Sequence, residues 1–165
     1  MGKFLIYILV SILVVASSLC SCSTDGCTEN QSSIPLAGFY AAETGEAIAL
    51  SQLEVYGIGA KGDSLLTEAT STIKQVYLPL RSTQNNTAYC FHYAEFGELA
   101  TAYNDTVWFE YESTPYFASE ECGAMYRYKI TSVRHTNVII DSISLIDPEI
   151  TNIDMERIKI FFKTN

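Results

Sequence analysis

Apolar and polar residues alternate with a period of two through much of this chain. Val107, Phe109 and Tyr111 fall on one face of such a segment, and Glu110 and Glu112 fall on the other. Because successive side chains of a β-strand point to opposite faces, this pattern predicts a half-buried strand. Similar or weaker patterns predict further strands at 36–42, 46–57, 75–80, 88–95, 126–130, 137–146 and 157–163.

About eight short strands separated by turn residues predict an all-β domain. We expect an antiparallel β-sandwich, immunoglobulin-like or related, with a small closed β-barrel as the alternative. Pro79 favours an edge position for the strand at 75–80, since proline cannot donate a ladder hydrogen bond. No segment from 34 to 165 carries a helical stripe, and 118–125 is expected to form two helical turns at most. Turns are expected at 61–63, 85–86 and 104–105.

The N-terminal segment has the features of a secretory leader. A lysine at position 3 precedes an unbroken apolar run from Phe4 to Ala16, which is shorter than the ~20 residues of a bilayer-crossing helix. Leu19-Cys20-Ser21-Cys22 then resembles a bacterial lipobox. Lipidation is expected at Cys22, because cleavage before Cys20 would leave the bulky Leu19 at the cleavage point. These features predict a leader at 1–21, a lipidated tether at 22–33 and a single β-domain at 34–165.

The charge balance excludes some partners. Without Lys3 the chain keeps nine of its ten basic residues and all 19 acidic residues, a net charge of −10. Nucleic acid is therefore not an expected partner, since its phosphates attract Lys and Arg. Attraction to anionic lipid is also excluded, so attachment to a membrane is expected through acyl chains. The expected location is the outer membrane, on its periplasmic face or at the cell surface.

Three cysteines remain besides the two of the lipobox, and they allow three single disulfide pairings. We favour Cys27–Cys122, because Cys27 lies in the polar tether and Cys122 in a polar loop. Cys90 lies in an aromatic strand and is expected to be a buried free thiol. With no C-x-x-C pair and two histidines, the sequence predicts no metal site, and it predicts no cofactor.

Several segments together resemble a known family. They are Cys27–Gln31, Pro35–Tyr40, Val76–Leu80, Glu121–Gly123 and Ile150–Asn152. Their combination resembles an uncharacterised lipoprotein family of the Bacteroidota, domain of unknown function 6452, over nearly the whole mature chain. The resemblance supports export and a role for Cys27 and Cys122. It implies no activity, and no catalytic residue carries over.

Three patterns carry weak signals of chemistry. Gly57, Gly59 and Gly62 match a dinucleotide-binding spacing, but no helix-forming segment follows, so a hairpin turn is expected. Cys90 and His92 fall on one face of a strand, as a nucleophile and base would, although a structural thiol and imidazole are the simpler explanation. Acid pairs for glycoside hydrolysis are available among Glu95, Glu98, Glu110, Glu112, Glu120 and Glu121.

Two aromatic residues are the candidates for ligand binding. Trp108 and Tyr77 lie opposite the expected core side of their strands, and could stack on a sugar or peptide. In addition, three Asp-hydroxyl-apolar triplets resemble O-glycosylation sites of exported Bacteroidota proteins, with Ser64, Thr106 and Ser142 as the acceptors. Turn capping by Asp and Ser or Thr is the alternative explanation.

Three hypotheses for function follow. The first is a non-enzymatic, lipid-anchored module that binds or braces an envelope protein, for example one of the outer membrane. The second is a glycan- or small-ligand-binding surface lipoprotein, which requires an exposed aromatic cleft. The third is a hydrolase, which requires two carboxylates facing each other across a groove.

Overall fold

The computed structural model describes residues 33–60, 65–120 and 122–164. These residues form strands and one 3₁₀ segment, Ala94–Tyr103. The strands are β1 (Leu36–Ala41), β2 (Leu50–Ser51), β3 (Leu53–Gly57), β4 (Leu65–Thr67), β5 (Thr72–Ile73), β6 (Gln75–Tyr77), β7 (Asn86–Tyr93), β8 (Asp105–Ser119), β9 (Gly123–His135), β10 (Ile140–Leu145), β11 (Glu149–Ile150) and β12 (Glu156–Phe162). The all-β prediction is confirmed.

Sheet one has four strands in the order β10-β12-β1-β6. Its central pair, β1 and β12, is parallel, with Phe39 opposite Ile160 and Ala41 opposite Phe162. This pair is an exception to the predicted antiparallel pairing. Strand β1 is almost wholly apolar, as is typical of a strand in a buried parallel pair, whereas β12 also carries Glu156, Arg157 and Lys159. The short β6 lies at an edge, as Pro79 predicts.

Sheet two has six strands in the order β11-β9-β8-β7-β3-β4, all antiparallel, and it curls into a half-barrel. A separate small sheet pairs β2 with β5. The expected strand at 46–57 is interrupted at Gln52, which has a positive φ of 58° and separates β2 from β3.

The core lies between sheets one and two. Phe91 of sheet two meets Phe162 of sheet one with ring centroids 6.5 Å apart, and Phe162 also packs edge-on against Phe39. Burial of these aromatic and aliphatic side chains is the main term that stabilises the fold. In the described residues the strands form separate sheets packed face to face, so the sandwich agrees with the structure better than the closed barrel does.

We call the end of the sandwich near Ser33 the proximal end and the opposite end the distal end. At the proximal end, Leu36 pairs with both Tyr77 and Glu156, close to Ser33, where the described chain begins. At the distal end, Ile140 pairs with Phe162. Strands β8 and β9 continue as a two-stranded arm past the start of β7, and we call residues 113–126 the hairpin arm.

Two local expectations were wrong. Residues 118–120 and 122–125 belong to the tip of the hairpin arm, where the chain reverses next to Gly123 (φ 71°), and do not form helical turns. The 3₁₀ segment after β7 was not predicted, because it has no regular apolar stripe and is broken at Gly97 (φ 55°). No helix of the described residues is long and apolar enough to cross a membrane.

Candidate functional site

A groove of about 960 Å³ runs along the outer face of sheet two. Its floor is formed by β8 and β9, and its wall by the loop that joins β6 to β7. The lining residues carry mostly hydroxyl, amide and charged groups around one indole ring. They are Ser82, Thr83, Gln84, Asn85, Asn86, Trp108, Phe109, Glu110, Tyr111, Glu112, Ser113, Thr131 and Arg134.

Trp108 lies on the groove floor because of the alternation in β8. Its neighbours Val107 and Phe109 are fully buried in the core, so the indole points to the opposite, outer face. Arg134 is its register partner on β9, with the guanidinium carbon 5.8 Å from the indole ring centroid. The Nη2 atom of Arg134 also lies 3.4 Å from Oε1 of Glu110. The three side chains form one cluster on the floor.

The wall of the groove is held by an unusual run of hydrogen bonds. Four consecutive backbone carbonyls, of residues 79–82, each accept a hydrogen bond from a side-chain hydroxyl. In order, the donors are Tyr89, Tyr128 (3.4 Å), Tyr111 (3.1 Å) and Ser113 (3.0 Å). These bonds hold residues 79–82 of the loop to sheet two, and Ser82, the last of them, lines the groove.

Tyr111 is the centre of this network. Its buried hydroxyl accepts the Arg81 backbone N–H at 2.9 Å and lies 2.7 Å from Thr87 Oγ1. Burial raises the pKa of the neighbouring Tyr89 and Tyr128 phenols, so both stay protonated and act as donors. The network joins the wall to the strands that form the floor.

The carboxylates of the groove lie on one side only. Glu110 and Glu112 are both on β8, and the facing wall at 82–86 carries hydroxyls and amides. The hydrolase hypothesis requires two acids on opposite sides of a bound glycosidic bond. Neither residue has such a partner among the groove-lining residues, and Glu110 is paired with Arg134. Within the groove, the facing pair of acids that the hydrolase hypothesis requires is therefore not found among the described lining residues.

The second ligand candidate, Tyr77, is remote from this groove. It lies on the edge strand of sheet one, is 43% exposed, and donates its hydroxyl to Asp154 Oδ1 at 2.8 Å. This hydrogen bond raises the pKa of Tyr77. The structure therefore places Trp108 and Tyr77 on different sheets and does not bring them into one site.

Cys90 and His92 are neighbours on β7, but their surroundings do not activate the thiol. Cys90 is a free thiol with 6% of its surface exposed, and burial raises its pKa. His92 Nδ1 lies 2.9 Å from Asn104 Oδ1. A thiol with a raised pKa holds little thiolate at neutral pH, so it is a poor nucleophile.

The glycine-rich segment is a hairpin, as expected. Gly57 ends β3, and the chain returns as the antiparallel β4 with Tyr56 opposite Leu65. Among the described residues on either side of this turn, no helix begins that could direct its N-terminus at a pyrophosphate. Gly62 and Ser64 lie outside the described residues. Within the described ranges, no three His, Cys, Asp or Glu side chains are grouped so that they could hold a metal ion.

Asp105 has a structural role that explains one of the Asp-hydroxyl-apolar triplets. Its fully buried carboxylate accepts backbone N–H bonds from residues 138, 139 and 140 at 2.7–2.9 Å, and the Thr136 hydroxyl at 2.6 Å. It thereby fixes the turn from β9 to β10 at the distal end. Thr106 is half-buried beside it on β8, whereas Ser142 is exposed on the edge strand β10. Glycosylation at either residue stays a prediction.

Comparison with protein families gives one match. The model of a family of unknown function, DUF6452, matches residues 52–162. The chain belongs to the DUF6452 family. No curated protein and no solved structure matches it. The family match covers the whole groove and extends from the start of β3 to β12, and it brings no activity with it.

The described part of this DUF6452 chain contains two cysteines. Cys90 is free and Cys122 is disulfide-bonded. Cys22 and Cys27 lie outside the described residues. Lipidation at Cys22 and the pairing Cys27–Cys122 therefore stay predictions.

Arg134 and the groove wall were missed by sequence reasoning. Counting by twos from the buried Ile130 puts Arg134 on the core face, but the β8–β9 register shifts between Glu110 and Tyr111. One extra residue in β9 reverses the alternation, so Arg134 faces outward with Trp108. The wall at 82–86 was missed because loops show no periodic pattern. The feature that reveals both is the set of polar residues that surround Trp108 in the fold. This set depends on strand pairings between residues that are distant in sequence, so no local pattern shows it.

Proposed function

We propose that this chain is an exported, lipid-anchored and non-enzymatic binding module of the cell envelope, and that the groove at Trp108 binds a carbohydrate. The observation that carries the proposal is an outward-facing indole on the floor of a polar groove with a hydrogen-bonded wall. Support for the anchor comes from the leader-like segment and the lipobox ending at Cys22.

The lining suits the chemistry of a sugar. Pyranose rings present C–H faces that pack on an aromatic plane, and Trp108 supplies such a plane. Their hydroxyls both donate and accept hydrogen bonds, and the groove offers amides, hydroxyls and carboxylates, with Arg134 as a donor only. A groove rather than a flat apolar face favours a glycan over the envelope-protein partner that ranks first from sequence.

The wall supports the same proposal through its rigidity. Because residues 79–82 are held by four hydroxyl donors, the loop is attached to sheet two where the groove-lining segment begins at Ser82, which lowers the cost of ordering that segment on binding. Weak carbohydrate contacts therefore retain more of their binding free energy.

A glycan array tests the groove. Full-length protein in detergent is expected to bind a subset of oligosaccharides, and Trp108→Ala is expected to abolish that binding. Tyr77→Ala is the matched control, since Tyr77 is an exposed tyrosine outside the groove. Absence of any bound glycan, or binding that is the same in Trp108→Ala, would contradict the proposal.

The anchor is tested separately by fractionating cells. Cys22→Ala is expected to release the protein from the membrane fraction, and Cys20→Ala to leave it there. The mass of the N-terminal peptide from the wild-type protein is expected to include acyl chains on Cys22. Retention of Cys22→Ala in the membrane without acyl chains would contradict the anchor and leave the glycan proposal standing.

A further inference from the structure

The exposed apolar side chains of the described residues are concentrated at the proximal end. Eleven large hydrophobic residues are exposed, and eight of them lie on loops and strand ends at this end or on the hairpin arm. These are Ile58, Leu65, Tyr77, Phe117, Tyr126, Ile146, Ile153 and Met155. The other three, Leu99, Tyr103 and Val138, lie at the distal end. We call the set of eight the proximal patch.

The pairings of the strands place these residues at the same end of the fold. Tyr77 is joined to Asp154, which lies between Ile153 and Met155. Ile146 donates its backbone N–H to Arg157 at 2.8 Å, at the start of β12. The hairpin arm leaves sheet two in the same direction, since β8 begins at the distal Asp105 and runs toward the proximal end. Phe117, near its tip, is 68% exposed.

The chain before the described residues reaches the domain at this same end. Ser33 and Ile34 line a cavity together with Met125 and Tyr126 of the hairpin arm. If Cys22 carries the lipid, the eleven residues from there to Ser33 span at most about 40 Å. The segment Ser23–Ser32 has no large apolar side chain that could cover the proximal patch.

We propose, resting on the anchor of the proposed function, that the proximal patch lies on the surface of the bilayer that holds the acyl chains. Aromatic and aliphatic side chains on loops and hairpin tips are favoured at the boundary between headgroups and acyl chains. Of the cations near this end, Lys129 lies 3.7 Å from Glu149, Arg157 is paired with Asp147, and Arg127 lies over the ring of Tyr116. Contact with the bilayer is therefore apolar, and it does not require anionic lipid.

The orientation has a consequence for the groove. Its floor lies on the outer face of sheet two, whose strands run between the proximal and distal ends. With the proximal end on the membrane, the groove opens sideways, and its wall at 82–86 lies closest to the lipid. A polymer lying along the membrane surface would have access to it.

Depth-dependent quenching of a single tryptophan tests this orientation. Trp108 is the one tryptophan of the chain, so Trp108→Phe provides a background for new probes. The probe is Phe117→Trp, and the matched control is Leu99→Trp, at a distal residue that is 64% exposed. Full-length protein is mixed with phosphatidylcholine vesicles that have brominated acyl chains. Circular dichroism confirms the fold of each variant, and Ile153→Trp is the second probe.

We expect Phe117→Trp and Ile153→Trp to be quenched and blue-shifted, and Leu99→Trp to be neither. Equal fluorescence of proximal and distal probes would overturn the docking, including the case in which a protein covers the patch. Quenching that appears only with added anionic lipid would overturn its apolar character. Acyl chains measured by mass on the same samples report the anchor independently. A lipidated protein with unquenched probes thus refutes docking alone, whereas loss of the acyl chains refutes the anchor.

Discussion

Arg134 places its guanidinium carbon 5.8 Å from the centre of the Trp108 ring, from the paired position on the adjacent strand. The planar cation covers part of the indole and orients the rest toward the groove. Since Trp108 is the single tryptophan, its fluorescence reports this contact directly.

Replacing Arg134 by alanine is expected to expose the indole. The Trp108 emission should shift to the red, and acrylamide should quench it more strongly than in the wild type. Stability should change by less than about 0.5 kcal/mol, because the Arg134–Glu110 pair is exposed. Arg127→Ala is the control, since Arg127 lies over Tyr116 instead. Identical quenching in the wild type and Arg134→Ala would show that the contact does not persist in solution.

Tyr111→Phe is expected to destabilise the domain by about 1–3 kcal/mol. The change leaves the Arg81 N–H without its acceptor and Thr87 without its buried partner. Urea unfolding followed by circular dichroism measures the effect. The control, Tyr126→Phe, alters a partly exposed hydroxyl and should change stability by at most about 0.5 kcal/mol. Equal midpoints for the two variants would refute the central role of Tyr111.

Asp105→Asn is expected to cost about 3 kcal/mol or more. All of the groups around the carboxylate are donors, and the amide would direct a further donor at them. Asp141→Asn is the control, because Asp141 is exposed on β10. Thermal unfolding of the two proteins compares them. A variant that unfolds with the same midpoint as the wild type would mean that the turn from β9 to β10 is held by other contacts.

Stability is expected to fall steeply above pH 10. Burial raises the pKa of Tyr89 and Tyr93, so both phenols remain neutral in the fold while the unfolded chain ionises near pH 10. Their contribution is fully present below pH 10 and is lost as the pH rises. Tyr89→Phe should reduce the fall by about 1.4 kcal/mol per pH unit. Urea unfolding of Tyr89→Phe at pH 8 gives the free-energy cost of losing the hydrogen bond to Pro79. If the free energy of unfolding falls with the same slope in the wild type and in Tyr89→Phe from pH 10 to 11, the prediction is contradicted.

Cys90 is expected to resist alkylation in the native protein. Its raised pKa and its burial both lower the concentration of accessible thiolate at pH 8. Iodoacetamide should add one equivalent at Cys90 in urea and react far more slowly without it, as peptide mass measures. Rapid native labelling would place Cys90 on an accessible surface and reopen the question of its pairing with His92.

Strand positions were largely predictable because one face of each strand is buried. The alternation at Val107, Phe109 and Tyr111 reflects a core contact that holds in the structure. The parallel pairing of β1 with β12 was not predictable, since neither the apolar sequence of β1 nor the alternation in β12 fixes the direction in which the two strands pair. The outward direction of the Arg134 side chain was not predictable for a related reason. A single extra residue reverses a period of two, and only the pairing with β8 reveals it.

The groove was predictable in part. Alternation alone places Trp108 on the outer face, and the structure places it there. The wall required knowledge of which carbonyls meet Tyr89, Tyr111, Tyr128 and Ser113, and these contacts link residues between 10 and 48 positions apart. A sequence indicates such a network only through hydroxyl-bearing residues at positions predicted to be buried. It does not show which carbonyl groups accept their hydrogen bonds.

The parallel contact between β1 and β12 sets the order in which the molecule is completed. Strand β1 lies between β12 and the short β6, so most of its ladder waits for Glu156–Phe162. A chain emerging from a ribosome thus keeps sheet one open until residues 156–162 have appeared. A nascent chain halted before residue 156 is therefore expected to lack most of the β1 ladder and to remain a substrate for chaperones and proteases.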